Sequence, residues 1–460
     1  MMSLDQAERY RKMTETPVGP LILSLAGPTI VSMLITAVYN TADTFFVSQL
    51  GTSATGAVGV VFSLMAIIQA VGFTLGMGTG SRISRLMGQR KQEEAEQVLA
   101  SGFVAALAFG LCLTVFGLLF LDPLMNLLGS TPTILPYARD YGRYILLGAA
   151  VMGASFVLNN ALRAEGQAVL SMVGITVGGV LNIALDPLFI FGLRLEIAGA
   201  AIATLLSQCV SFGILLSCYL RGKSVLRLRL GSASRKPLEY WMTVQTGFPS
   251  FCRQGLASVA TVALNKAAAV YGDPAVAAMS VVGRVFMLIL SVILGFGQGF
   301  QPVAGFNYGA KKYRRVRDAA VFTLTVGTGI MAAMAVAGCF AAPRVIRLFG
   351  SDPDFLEIGI FAMRAQCLGM ILQPMTVVSN MTFQSIGRSW QATLLSSARQ
   401  GIYFLPLILI LPWKFGLLGV QCTQPLADLL TSLTCIPFLA LFFRELNELE
   451  NTRLSKNSTA

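Results

Sequence analysis

Apolar residues run through this chain in long blocks broken by short polar or basic stretches. An α-helix needs about 20 mostly apolar residues to cross the hydrocarbon of a bilayer. Twelve blocks meet that length, at about 21–48, 55–80, 98–121, 138–162, 169–190, 198–219, 244–270, 276–303, 319–342, 358–385, 391–411 and 418–443. The pattern predicts an all-α membrane protein of twelve transmembrane helices.

Composition agrees. Of 460 residues 55% are apolar and 12% charged, against about 25% charged in an ordinary soluble domain. Mean hydropathy is +0.69. A net charge of +12 raises nucleic acid as a partner, but its placement argues against one. Arg82, Arg85, Arg90 and Lys91 fall in one connection. Arg221, Lys223, Arg227, Arg229, Arg235 and Lys236 fall in another, and Lys311, Lys312, Arg314, Arg315 and Arg317 in a third. These are alternate connections, so the positive-inside rule places them and both termini in the cytoplasm of a plasma-membrane protein. The first 20 residues carry charges of both signs and no secretory core. They are expected to form a short amphipathic helix on the membrane face.

The chain repeats itself at a shift of 221 residues. Pro28 pairs with Pro249, Gly78 with Gly299, Gly88 with Gly309, Asn159 with Asn380 and Gly166 with Gly387. GMGTGSRISRLMGQRK in the first half answers GQGFQPVAGFNYGAKK in the second. Each repeat holds six spans, and an even number leaves both in the same orientation. Two parallel six-helix lobes related by a pseudo-two-fold along the membrane normal follow, a plan suited to alternating access. The expected division is a cytoplasmic segment 1–20, a first lobe 21–220, a basic linker 221–241, a second lobe 242–443 and a cytoplasmic tail 444–460.

Against this symmetric frame some chemistry is one-sided. Asp43 lies in LITAVYNTADTFFVSQLG, and its repeat mate is Leu264. A charge at mid-bilayer costs about 2.5–3.5 kcal/mol, so such a group faces protein interior or a watery cavity. In GGVLNIALDPLFIFG, Asn182 and Asp186 stand four apart and share a helix face. Pro187 follows and has no N–H for the carbonyl of Ile183. The mates of Asn182 and Asp186 are Tyr403 and Leu407. Two carboxylates, an amide oxygen and a spare carbonyl are hard oxygen ligands apt for Na+, at Asp43, Asn182 and Asp186, or for a shared proton. Histidine is absent, so proton chemistry must use carboxylates. The eight cysteines show neither metal nor disulfide spacing. With no nucleophile motif either, an intramembrane enzyme is excluded and no cofactor is expected.

The second half carries Arg253, Lys266, Arg284 and Arg399 within spans, and Asp428 in the twelfth. Arg253 and Arg284 are placed to snorkel, and Lys266 and Asp428 are expected to pair. Tyr39, Asn40, Arg253 and Gln254 are candidates for a substrate cavity. The 19 Met and 29 Phe suit a polyspecific apolar one.

NTADTFFVSQLGTSATGAVG, GFGQGFQPVAGFNYGAKKYRRV and GFPSFCRQGLASV together resemble the multidrug and toxic compound extrusion (MATE) transporters over residues 20–445. The resemblance implies twelve helices in two lobes. It also implies export of amphipathic, often cationic compounds in exchange for H+ or Na+. It implies a coupling-ion site at Asp43, Asn159, Asn182, Asp186 and Thr204. The NorM-like branch has acids in the seventh and tenth spans, where this chain offers Arg253, Gln254 and Gln373. The pattern is closer to the MepA-like and DinF-like branches and argues against a coupling site in the second lobe. A monomer is expected. The rival reading is a lipid-linked oligosaccharide flippase, whose cavity would be lined by Arg253, Lys266, Arg284 and Arg364.

Overall fold

The computed structural model describes residues 4–458, and every regular element among them is helical. A short helix, α1 (Leu4–Glu15), precedes the first span, α2 (Val18–Ser48). Then come α3 (Thr52–Gly88), α4 (Gln92–Leu119), the short α5 (Leu121–Leu127), α6 (Leu135–Ala164), α7 (Ala168–Pro187) and α8 (Glu196–Leu220). The second lobe holds α9 (Pro237–Ala269), α10 (Asp273–Gly309), α11 (Tyr313–Arg347) and the pair α12 (Pro353–Met370) and α13 (Gln373–Ile386). It ends with α14 (Ser389–Ser397), α15 (Leu405–Phe415) and α16 (Leu417–Ser458).

Ten of the described helical runs are long and apolar enough to cross a bilayer alone. The bent pair α12–α13, turned by 47°, makes an eleventh. The twelfth is α9, 33 residues long; Glu239, Arg253 and Lys266 lower its hydropathy without shortening it. The twelve-helix expectation holds, with one difference at the end. Helix α16 continues to Ser458, past the apolar block that stops at 443. Its polar extension is held by Arg388 to Glu445 and by Arg317 Nη1, which donates to Asn447 Oδ1 at 2.8 Å.

Backbone contact through glycine closes the lobes on one another. A Cβ on Gly88 would stand 2.1 Å from the Phe306 carbonyl oxygen, and one on Gly309 would stand 2.1 Å from that of Arg85. Arg85 and Phe306 are 221 apart like the glycines, so one contact is made twice across the pseudo-two-fold. The same holds for Gly78 against the Gly247 nitrogen and Gly299 against that of Ala26, at 3.1 and 2.5 Å from an added Cβ. Thr29 Oγ1 adds a bond across the seam to the Gly295 carbonyl at 2.6 Å, and Arg82 pairs with Glu239.

This seam lies at the end of the bundle that carries α1 and the close of α16, the end expected to face the cytoplasm. Helix α1, expected as a short amphipathic helix on the membrane face, packs against the end of the bundle. Tyr10 packs on Phe306 with ring centroids 5.6 Å apart, and the Thr14 carbonyl accepts from Lys312 Nζ at 3.0 Å. Met13 is buried and faces Gly166 of the first lobe, so α1 bridges both lobes.

Candidate functional site

Helix α7 places Asn182 and Asp186 on one buried face, as their spacing requires. Asn182 Nδ2 donates to Asp186 Oδ1 at 3.2 Å and to Thr204 Oγ1 of α8 at 3.3 Å. On α6 the fully buried Tyr141 donates its hydroxyl to Asp43 Oδ2 of α2 at 3.2 Å. That hydroxyl also lies near Thr204 and Asp186. After Pro187 the helix widens into a π turn, Leu188–Gly192, where the missing N–H leaves the ordinary ladder unable to continue. Gly178 and Gly179 let α7 press between its neighbours. Added Cβ atoms would lie 2.9 Å from Ser211 Cβ and 2.8 Å from Ile35 Cγ2.

Three oxygens of this cluster are buried without a partner: Asp43 Oδ1, Asn182 Oδ1 and Asp186 Oδ2. Each unmet acceptor costs about 1–3 kcal/mol. Unmet oxygens on two neighbouring acids and an amide suit a small cation or a shared proton. Among the described residues no group of three or more His, Cys, Asp or Glu gathers as for a transition metal, and hard oxygen donors suit Na+ rather than zinc.

Asn159 does not join the cluster. Its Nδ2 donates to Ser171 Oγ at 2.6 Å, and Ser171 lies eleven residues before Asn182 on α7, about 16 Å along the axis. Between them runs a cavity of about 110 Å³. Asn182, Thr204 and Tyr39 line the end away from the seam, Phe73, Phe156 and Met33 the middle, and Asn159, Ser171, Arg163 and Gln298 the end toward the seam. Of the proposed substrate residues, Tyr39 is on this wall, whereas Asn40, Arg253 and Gln254 are not.

The second lobe departs from expectation at one pair. Asp428 is 1% exposed and accepts from Arg399 Nε at 2.7 Å and from Gln424 Nε2 at 2.9 Å. Its partner is Arg399, not Lys266. Asp428 faces the irregular segment Ala398–Phe404 that carries Arg399, while Lys266 is exposed near the far end of α9. Arg284 is exposed and Arg253 half-buried. Sequence reasoning passed over Tyr141, which reads as an ordinary aromatic in a span. It also passed over Arg163, which reads as a membrane-edge cation in the last turn of α6.

Comparison with known proteins places this arrangement. The MatE family model matches residues 28–188 and again 249–409, the same 221-residue offset as the internal repeat. The multidrug export protein MepA of Staphylococcus haemolyticus is 26% identical over 431 residues, covering 93% of each chain. An FAD transporter of Shewanella oneidensis is 26% identical over 432 residues, covering 92% of this chain and 94% of its own. A solved outward-facing conformation of a multidrug resistance MATE transporter superposes with a TM-score of 0.91 at 26% identity, covering 97% of this chain and all of that one. With both halves matched in sequence and the architecture matched in space, the chain belongs to the MatE family of multidrug efflux transporters.

Proposed function

We propose that this protein exports amphipathic, chiefly cationic small molecules in exchange for H+ or Na+, with Asp43, Asn182, Asp186 and Thr204 holding the coupling ion. The observation that carries this reading is the set of three unpartnered oxygens on Asp43, Asn182 and Asp186 inside a lipid-shielded lobe. Asn159 serves the cavity wall rather than the ion. With both termini in the cytoplasm the closed seam faces inward, and the lobes stand open to the outside. An ion taken up there changes the relative stability of the two facings and releases the cargo. By linkage, ion and cargo weaken each other's binding through the same acids. The protein works as a monomer in the plasma membrane.

The flippase reading calls for cations converging on a pyrophosphate. Lys266, Arg284 and Arg364 are instead exposed, Arg364 donating to the Cys339 carbonyl at 3.3 Å, and Arg253 is half-buried. The test is reconstitution in vesicles with a fluorescent cation, driven separately by a pH gradient and by a sodium gradient. Asp43→Asn should insert and fold yet lose coupled efflux by at least about tenfold, the weight of a charge-assisted interaction. Efflux at the wild-type rate in that variant would refute the assignment.

A further inference from the structure

Several arginines lie partly or wholly buried near the seam or in the second lobe, and three of them pair with a carboxylate. Arg82 has Glu239, Arg388 has Glu445 and Arg399 has Asp428. Arg163 has none. It is 7% exposed, and its guanidinium contacts only the Asn160 and Gln298 amide oxygens and, at 4.0 Å, the Met77 sulfur. Burying a cation against neutral dipoles alone is costly. A mere latch between lobes does not need it, since Arg82 and Glu239 already supply a neutralised one. What sets Arg163 apart is its place: it forms the inner floor of the first-lobe cavity and is the single charged residue among the described lining.

We propose that the inner end of this cavity is an anion subsite, built for the carboxylate of an amphipathic cargo. The inference rests on the cavity being where cargo binds. One guanidinium balances one negative charge, and its planar fork suits a carboxylate. A phosphate dianion would call for a second cation that the described wall lacks. The apolar body of the cargo lies along Phe73, Phe156 and Met33. The roughly 16 Å between Ser171 and Asn182 along α7 matches the long axis of a fused-ring molecule with its acid at the floor, and the cavity of about 110 Å³ widens to take it. Cargo seated this way also competes with Gln298 for Arg163 and so weakens one bond across the seam.

The test uses the full chain in lipid nanodiscs and two dyes, a carboxy-rhodamine and its methyl ester, read by fluorescence polarisation. Wild-type protein should bind the acid about tenfold or more tightly than the ester, the weight of one charge-assisted contact. Arg163→Gln should bring that ratio close to one, and Arg163→Lys should keep the preference for the acid. Equal affinities in the wild type, or a loss in Arg163→Gln that strikes both dyes alike, overturn the proposal. If the ester binds and is exported but the acid is not preferred, the subsite alone is wrong. If neither dye binds the wild type, the reading of the cavity as the cargo site falls with it.

Discussion

Asp43 shows what a sequence can say about a single residue. A carboxylate in an apolar run whose repeat mate is Leu264 had to serve something the scaffold does not need, and that was legible. Its hydroxyl partner was not, because Tyr141 lies 98 residues away and only the packing of α6 on α2 brings them together. Arg163 was hidden for another reason: a basic residue ending a span is what membrane topology puts there anyway. Glu165, one turn-end further, gives a prediction outside the membrane. It is 1% exposed and accepts from Ser224 Oγ at 2.8 Å and Val225 N at 2.9 Å, pinning the basic linker. Burial pushes its carboxyl up to about 7, against weaker opposing pulls from those bonds and Arg9. The folded protein therefore keeps a proton that the unfolded chain has lost, so this contribution is full below about pH 4.3 and lost as pH rises toward 7. Its size is at most about 4 kcal/mol. Melting of the purified protein at pH 5 and at pH 8 should differ less for Glu165→Gln than for the wild type. An unchanged difference would show that Glu165 is not the group that titrates.

Among the elements, the repeated glycines of α3 and α10 were visible as a pattern, but their purpose needed the fold. A glycine that matches its mate says only that something recurs. The contacts of Gly88 with Phe306 and of Gly309 with Arg85 show what recurs: helix backbones meeting closer than any side chain permits. Even the methyl of Gly309→Ala requires these helices to separate by about 1 Å, since real Cβ atoms keep about 3 Å from carbonyl oxygens. That variant should fail to close the inner end. A thiol reagent added on that side should then reach a cysteine placed in the seam, and efflux should fall. Gly88→Ala breaks the twin contact and should do the same to a similar degree; a large inequality between the two would mean the lobes do not share the load. The π turn after Pro187 was partly foreseen, as a lost N–H. The irregular turn at Ala398–Phe404 had no such flag, because its nearest proline, Pro406, follows it.

For the molecule as a whole, hydropathy and the 221-residue repeat carried nearly all of the architecture, because a bilayer admits few ways to satisfy a backbone. One feature escaped. The seat of α1 across the seam depends on Met13 and Tyr10, which look like ordinary residues of an amphipathic helix. The first-lobe cavity has a further consequence. It runs along its helices, hence along the membrane normal, for about 16 Å of a hydrocarbon layer about 30 Å thick. An ion or charged cargo group traversing that length crosses about half of the transmembrane voltage. That is worth about 1 kcal/mol per elementary charge at 100 mV. Export from vesicles clamped with a potassium diffusion potential should accordingly respond to voltage with chemical gradients held at zero, and indifference to voltage would mean that the charges move in compensating pairs.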